Sequence, residues 1–197
     1  VCINNSPITM VIYQGSVYGM NDVTHLGFQD IPMLSNIPNL VYLAPATKEE
    51  YLAMLDWSME QTSYSVAIKL PGGPMISDGS RVTKDFGRLN RYEVAQTGEK
   101  IAIIGLGTFF ELAKEAAKLL KKEAGINATI INPYYITGLD ETLLTKLKQN
   151  HDTVITIEDG ILDGGFGEKI ARFYGASNMK VMNYGLKKEF LDRYHVD

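Results

Sequence analysis

Apolar residues fall along this chain in short runs that alternate with helical stripes. Ile8-Thr9-Met10-Val11-Ile12-Tyr13, preceded by Pro7, is a β-branched run that predicts a buried strand. Asn39 to Leu43 predicts a second strand, ended by Pro45. Ser65 to Leu70 predicts a third, closed by Pro71-Gly72-Gly73-Pro74. Between the first two, Gly15, Gly19 and Gly27 mark a long polar loop, and Asp30 to Asn36 reads as a short helix. Before the third, Thr47-Lys48-Glu49-Glu50 is a capping-box pattern. The Thr47 hydroxyl can accept from the Glu50 N–H while the Glu50 carboxylate reaches back. The helix it opens carries Tyr51, Leu52, Leu55 and Met59 at helical spacing.

The pattern fades from Met75 to Leu89, where Asp78-Gly79-Ser80 and scattered charges predict a linker. Three units follow from this: residues 1–75, a linker over 76–92, and residues 93–197. In the last unit Lys100 to Gly105 predicts a strand. Thr108 is the expected cap of a helix running to Ala124, with Leu112, Ala116, Leu119 and Leu120 inward and Gly125 as its stop. Ala128 to Ile131 is the next strand. Asp140 caps a second helix carrying Leu143, Leu144 and Leu147. Thr153 to Ile157, a helix over Gly167 to Tyr174, and Lys180 to Met182 complete the series. Strands alternating with helices of this length predict an α/β fold, a doubly wound, mostly parallel sheet with right-handed crossovers.

Composition narrows the class. The chain has 197 residues, 45% hydrophobic and 21% charged, with a formal net charge of −4, which is an ordinary globular balance. The acidic sign argues against nucleic-acid binding. No apolar run approaches the roughly 18 residues of a membrane span. The single cysteine, Cys2, excludes an internal disulfide and a cysteine-cluster zinc site, and fits a cytoplasmic setting. No signal peptide is read at the start, and residue 1 is Val rather than Met.

Candidate chemistry concentrates in three places. Gly105-Leu106-Gly107 lies where a dinucleotide loop would lie, but Phe110 takes the place of the third glycine. Asn132 and Pro133 stand where an acidic residue would end the next strand, so a plain tight turn is expected. Glu158-Asp159-Gly160 with Gly164-Gly165-Phe166-Gly167 reads in two ways. The glycines could admit an anion to free helix N–H groups, or they form a close-packed turn. Thr24-His25, in the loop after the first strand, is the catalytic candidate, because histidine changes charge near neutral pH without help. The alternative is an exposed structural histidine. His151 and His195 have weaker claims, and the three histidines lack metal-ligand spacing.

An ordered set of these residues resembles the transketolase family of thiamine-diphosphate enzymes. Gly19, Thr24-His25-x-Gly27-x-x-Asp30, Ile37-Pro38-Asn39-Leu40 and Pro45 resemble a passage of the family's pyrimidine-binding domain. Gly105-x-Gly107-Thr108, Gly138-Leu139-Asp140-Glu141 and Ile157-Glu158-Asp159 with the following glycines resemble its C-terminal domain. The resemblance implies part of a pyrimidine-binding domain, then a transketolase-type C-terminal domain, in a two-carbon transferase that uses thiamine diphosphate and Mg²⁺. The family's activating Glu and its metal-binding domain belong upstream of Val1. The implied chain therefore binds no cofactor or metal alone, is incomplete by itself, and needs a missing N-terminal domain or partner subunit, commonly in a homodimer.

By the same resemblance His25 would face the bound intermediate and transfer protons, and Thr24 and Asp30 would hold its loop. Substrate contacts would come from Gln14, Asn21 and Lys69. Members of the family that take a triose phosphate have arginines near these places. Here Tyr13-Gln14 stands for Asp-Arg, Asn21-Asp22-Val23 for Asp-Gly-Gln, and Lys69-Leu70-Pro71-Gly72-Gly73 for Arg-Tyr-Pro-Arg-Gly. Lysine binds phosphate as a point charge without the bidentate fork, and Asp22 would repel it. Either the acceptor is not a triose phosphate or other cations compensate. Competing readings are a ketose transferase half, the β subunit of a 2-oxo acid dehydrogenase, and a non-catalytic dimerisation or regulatory module.

Overall fold

The computed structural model describes residues 1–13, 15–16 and 22–193. Two sheets organise it. The first contains β1 (Thr9–Tyr13), β2 (Leu40–Leu43) and β3 (Ser65–Leu70) in the order β1-β3-β2, all parallel. Helix α1 (Asp30–Leu34) leads into β2, and α2 (Lys48–Glu60) crosses from β2 to β3. Every residue of β2 is buried, as expected where both faces of a parallel sheet are covered. Alternation then sorts them: Val41, Leu43, Val66 and Ile68 join Met54 of α2, while Leu40, Tyr42 and Ala67 face the second sheet.

The second sheet has the order β4-β6-β5-β7-β8, made of β4 (Glu93–Gln96), β5 (Lys100–Gly105), β6 (Thr129–Asn132), β7 (His151–Ile161) and β8 (Lys180–Leu186). Helix α3 (Phe110–Ala124) covers one face through Ala113 and Ala117 against Ile103 and Ile130. Helices α4 (Glu141–Leu147) and α5 (Phe166–Tyr174) cover the other through Leu144, Leu147, Ile170 and Tyr174. This is the doubly wound, mostly parallel α/β arrangement expected. The exception is β4, an exposed edge strand antiparallel to β6. Its Glu-Val-Ala-Gln lacks a hydrophobic pattern, and only its partner makes it a strand.

The sheets are joined directly. Ala44 N donates to Tyr134 O at 2.7 Å, and Ile136 N donates to Tyr42 O at 2.8 Å. Residues 71–92 contain no helix or strand and are fastened by Phe86, which lies in the α2 cluster and accepts from the Tyr135 hydroxyl at 2.8 Å.

Several expectations are corrected. Thr108 caps no helix. It lies inside a 3₁₀ turn, Gly107–Phe109, and α3 begins only at Phe110. That start puts Phe110, Ala113, Ala117 and Leu120 on one stripe, so Leu112 and Leu119 point outward, 50% and 58% exposed. On α2 the buried stripe is Glu50, Met54 and Ser58, whereas Leu52 and Met59 are exposed. Strand β7 runs on past Ile157, so Glu158 and Asp159 are strand residues. Strand β8 extends to Leu186.

Candidate active site

The loop between β1 and α1 carries the sequence-predicted chemistry. It is fastened at both ends. Gly15 N donates to Leu70 O at 3.1 Å, and Ile161 N donates to Phe28 O at 3.1 Å. Leu26 and Phe28 are buried with Ile161 of β7. His25 lies between these anchors with a side chain 61% exposed, on a short 3₁₀ turn over Val23–His25. Asp22 caps that turn by accepting from Thr24 N at 2.9 Å. The Asp22 carboxylate also accepts from the Thr24 hydroxyl, and Thr24 Oγ1 lies 2.7 Å from His25 Nδ1. These hydrogen bonds, the hydroxyl's first, hold the Asp22 carboxyl below its ordinary range.

Beneath the loop is a buried ionic cluster. Lys69 Nζ donates to Asp30 Oδ1 at 2.9 Å and to Oδ2 at 2.8 Å, and lies 3.6 Å from Asp159 Oδ1. The Tyr42 hydroxyl donates to Asp30 Oδ2, and burial pushes its own pKa upward. Asp159 Oδ1 is buried with no hydrogen-bond partner, and burial raises its carboxyl. Lys69 is 4% exposed. The ammonium expected to meet a substrate phosphate therefore faces two aspartates inside the protein, one from α1 and one from β7. Gln14 and Asn21, the other expected substrate contacts, lie outside the described residues, as do Gly19 and His195. The loop that carries His25 thus leads into Asp30, the partner of Lys69.

The glycine-rich segment resolves as the close-packed turn. Glu158 turns inward from β7 and accepts from Phe166 N at 2.8 Å and Gly167 N at 2.7 Å. Gly164 N donates to Glu168 at 2.8 Å. The helix N-terminus that could have held an anion is occupied by the chain's own carboxylates. Burial pushes the Glu158 carboxyl up to about 7, against the pull of those two N–H groups. A Cβ at Gly165 would stand 2.6 Å from Ile161 O and 2.7 Å from Glu158 Oε2.

The crevice at the C-terminal ends of β5 and β7, the switch point of this sheet, is met by residues from α1 and the end of β2. Gly107, at φ +57°, turns so that its Cβ position lies 3.3 Å from the Ala44 Cβ. Ile31 packs on Gly160. The turn reading of Gly105-Leu106-Gly107 agrees with this contact. These residues leave no cradle for a diphosphate. Among the described residues no group of three or more His, Cys, Asp or Glu is placed to hold a metal ion, and no helix is long and apolar enough to cross a membrane. His151 is bound on both ring nitrogens, to Leu147 O at 3.1 Å and Thr129 Oγ1 at 2.8 Å.

Sequence reasoning missed the turn-capping role of Asp22, and it missed Tyr42 and the approach of Asp159 to Lys69. Asp22 carried a usable signal, since Asp two residues before Thr favours a local side-chain-to-backbone turn. The other two depend on how the sheets pack.

Residues 90–189 match the family model described as "Transketolase, C-terminal domain". The whole chain is 34% identical over 199 residues to a 1-deoxy-D-xylulose-5-phosphate synthase of Clostridium tetani, of which it covers 32%. It is 33% identical over 176 residues to the synthase of Trichormus variabilis, covering 87% of this chain and 27% of that protein. The chain thus spans about a third of the length of the curated relatives it matches. Among solved structures, one described as "Split gene transketolase, inactive beta4 tetramer" superposes with a TM-score of 0.80 at 23% identity, covering 97% of this chain and 60% of that one. A transketolase from Pichia stipitis gives a TM-score of 0.74 at 21% identity, covering 98% of this chain and 27% of that one. Both likenesses concern the fold.

Proposed function

The chain belongs to the transketolase family, and from that premise we propose that it is the C-terminal portion of a thiamine-diphosphate-dependent two-carbon transferase like 1-deoxy-D-xylulose-5-phosphate synthase. The observation that carries this reading is His25. It stands exposed on a loop fastened at both ends, with Nδ1 engaged by Thr24 and Nε2 without a partner among the described residues, placed to exchange a proton with a substrate oxygen. Similarity to the synthase over the full chain supports the reaction class.

The described residues do not fit the cofactor, so this reading assigns thiamine diphosphate and Mg²⁺ to polypeptide that completes the site, and the chain alone is inactive. What the chain contributes is the proton-transfer group and the loop that holds it. Gln14 and Asn21 are retained as contacts to substrate oxygens. Lys69 is assigned to the loop's foundation rather than to a phosphate. The arginines of triose-phosphate-binding members are absent, so any acceptor phosphate must be bound by groups other than these. A homodimer and a cytoplasmic setting belong to the same reading.

A second arrangement is favoured by the likeness to a split-gene transketolase: the completing polypeptide is a separate subunit encoded by its own gene. One experiment addresses both. The full-length protein, or this chain mixed with its candidate partner, is titrated with thiamine diphosphate and Mg²⁺ and assayed in parallel with pyruvate plus glyceraldehyde 3-phosphate and with a ketose phosphate. Saturable binding and turnover of one donor is the expected result. The absence of both binding and turnover would refute the proposal.

A further inference from the structure

The turn that carries His25 contains a hydrogen-bond relay that the family resemblance does not supply. Asp22 stands where the resembling passage has glycine. Its Oδ1 receives the Thr24 N–H at 2.9 Å and the Thr24 hydroxyl, and His25 Nδ1 lies 2.7 Å from that hydroxyl oxygen and 3.4 Å from Asp22 Oδ1. A threonine hydroxyl has one proton to give. It goes to the carboxylate, because the bond to a charged acceptor is the stronger one. The oxygen then presents lone pairs to the imidazole. The Nδ1 contact is a hydrogen bond only when Nδ1 carries the proton, and the nearby Asp22 oxygen favours the same form. Asp22 is held ionised by its two Thr24 hydrogen bonds, so the anionic end of the relay persists at neutral pH.

We infer that Asp22 is a positioning residue for His25: acting through Thr24, it fixes the neutral ring as the Nδ1–H tautomer and leaves the Nε2 lone pair as the base. The inference rests on the reading of His25 as the proton-transfer group. It gives Asp22 a role besides the phosphate repulsion expected from the sequence. The relay is local and needs no ligand. Asp22 and Thr24 hold the ring from one side, so the imidazole presents Nε2 outward in one orientation instead of sampling several. Which nitrogen of a histidine is protonated is set by the hydrogen bond the other makes, and here that bond is built by the turn itself.

The test is a ¹H–¹⁵N long-range correlation spectrum of the full-length protein labelled at histidine, recorded at pH about 8.5, where an ordinary histidine is neutral. The His25 signal is identified by its loss in His25→Ala. The expected result is protonated Nδ1 in the unmodified protein and in Thr24→Ser, with a change to protonated Nε2 in Thr24→Val and Asp22→Ala. In a pyruvate turnover assay, Asp22→Ala is expected to lower kcat about tenfold while KM moves less than threefold, the split expected of lost orientation. Circular dichroism confirms that the variants are folded. A His25 ring protonated at Nε2 in the unmodified protein, or a tautomer unmoved by Asp22→Ala and Thr24→Val, overturns the inference. A tautomer that shifts as expected while His25→Ala leaves kcat unchanged upholds the relay and instead removes the catalytic reading of His25.

Discussion

Replacing Lys69 by methionine tests the ionic cluster beside the loop that carries His25. Methionine fills much of the lysine stem's volume, so the change removes charge more than packing. Lys69 is the partner of Asp30 at 2.8 and 2.9 Å and the nearest cation to Asp159 at 3.6 Å. Without it two buried carboxylates face each other, Asp159 already lacking a partner for Oδ1. Breaking a buried pair by removing one member costs about 3–5 kcal/mol. For a protein of this length that corresponds to a fall in Tm of about 10 °C. The sign with pH follows. The orphaned carboxylates are costly only while ionised, so the penalty is greatest above pH 7 and shrinks as pH falls toward the carboxylate range. Urea unfolding followed by circular dichroism, for both proteins at pH 7.5 and 5, gives the two differences. Adding Asp30→Asn and Asp159→Asn to Lys69→Met should recover most of the loss. A Lys69→Met protein within about 0.5 kcal/mol of the original at pH 7.5 is what a surface substitution gives. It would refute the claim that this cluster anchors the loop.

Three further outcomes follow from the same packing. Tyr42→Phe deletes the hydroxyl that donates to Asp30 and should cost about 1–3 kcal/mol; its effect should shrink in the Lys69→Met background, and strict additivity would show the two groups uncoupled. Glu158 titrates near 7 in the folded protein against an ordinary 4.5, so the folded state holds a proton that the unfolded state releases. Its contribution is full below 4.5 and is lost as pH rises to about 7, a change of up to about 3 kcal/mol. Glu50 is also pushed up to about 7 by burial. Glu158→Gln should therefore make the decline in urea midpoint between pH 5 and 8 shallower, and an unchanged slope counts against the assignment. Gly165→Ala places a methyl against Ile161 O and Glu158 Oε2 and should lose about 1–3 kcal/mol in the same assay; a neutral substitution would mean the turn is looser than described.

Much of the fold was legible because its signals are local. Ser65 to Leu70 reads as a strand from an apolar run between breakers, and the structure gives that span. Asp140 reads as a cap and accepts from Leu143 N at 3.0 Å. The Thr47 cap was legible too, but Glu50 reaches Ala46 N at 2.6 Å and Asn132 Nδ2 at 3.0 Å, tying α2 to β6. Leu112 and Leu119 misled because leucine spacing alone does not fix which stripe faces the sheet. The face was chosen by a 3₁₀ turn ahead of α3 and by the close fit of Ala113 on Gly105. The placement of His25 on an exposed loop was legible, because that loop is continuous in sequence. The partners of Lys69 were not, because Asp30 and Asp159 come from elements far apart along the chain and meet only where the two sheets pack.

The central claim is that His25 transfers protons in a thiamine-dependent two-carbon transfer. The most direct test is kcat of His25→Ala against the unmodified full-length protein, saturated with thiamine diphosphate and Mg²⁺ and turning over pyruvate. The account predicts a fall of about 10²-fold or more with cofactor binding unchanged, the size of a lost general acid–base group. An unaltered kcat in a folded, cofactor-saturated variant would contradict it.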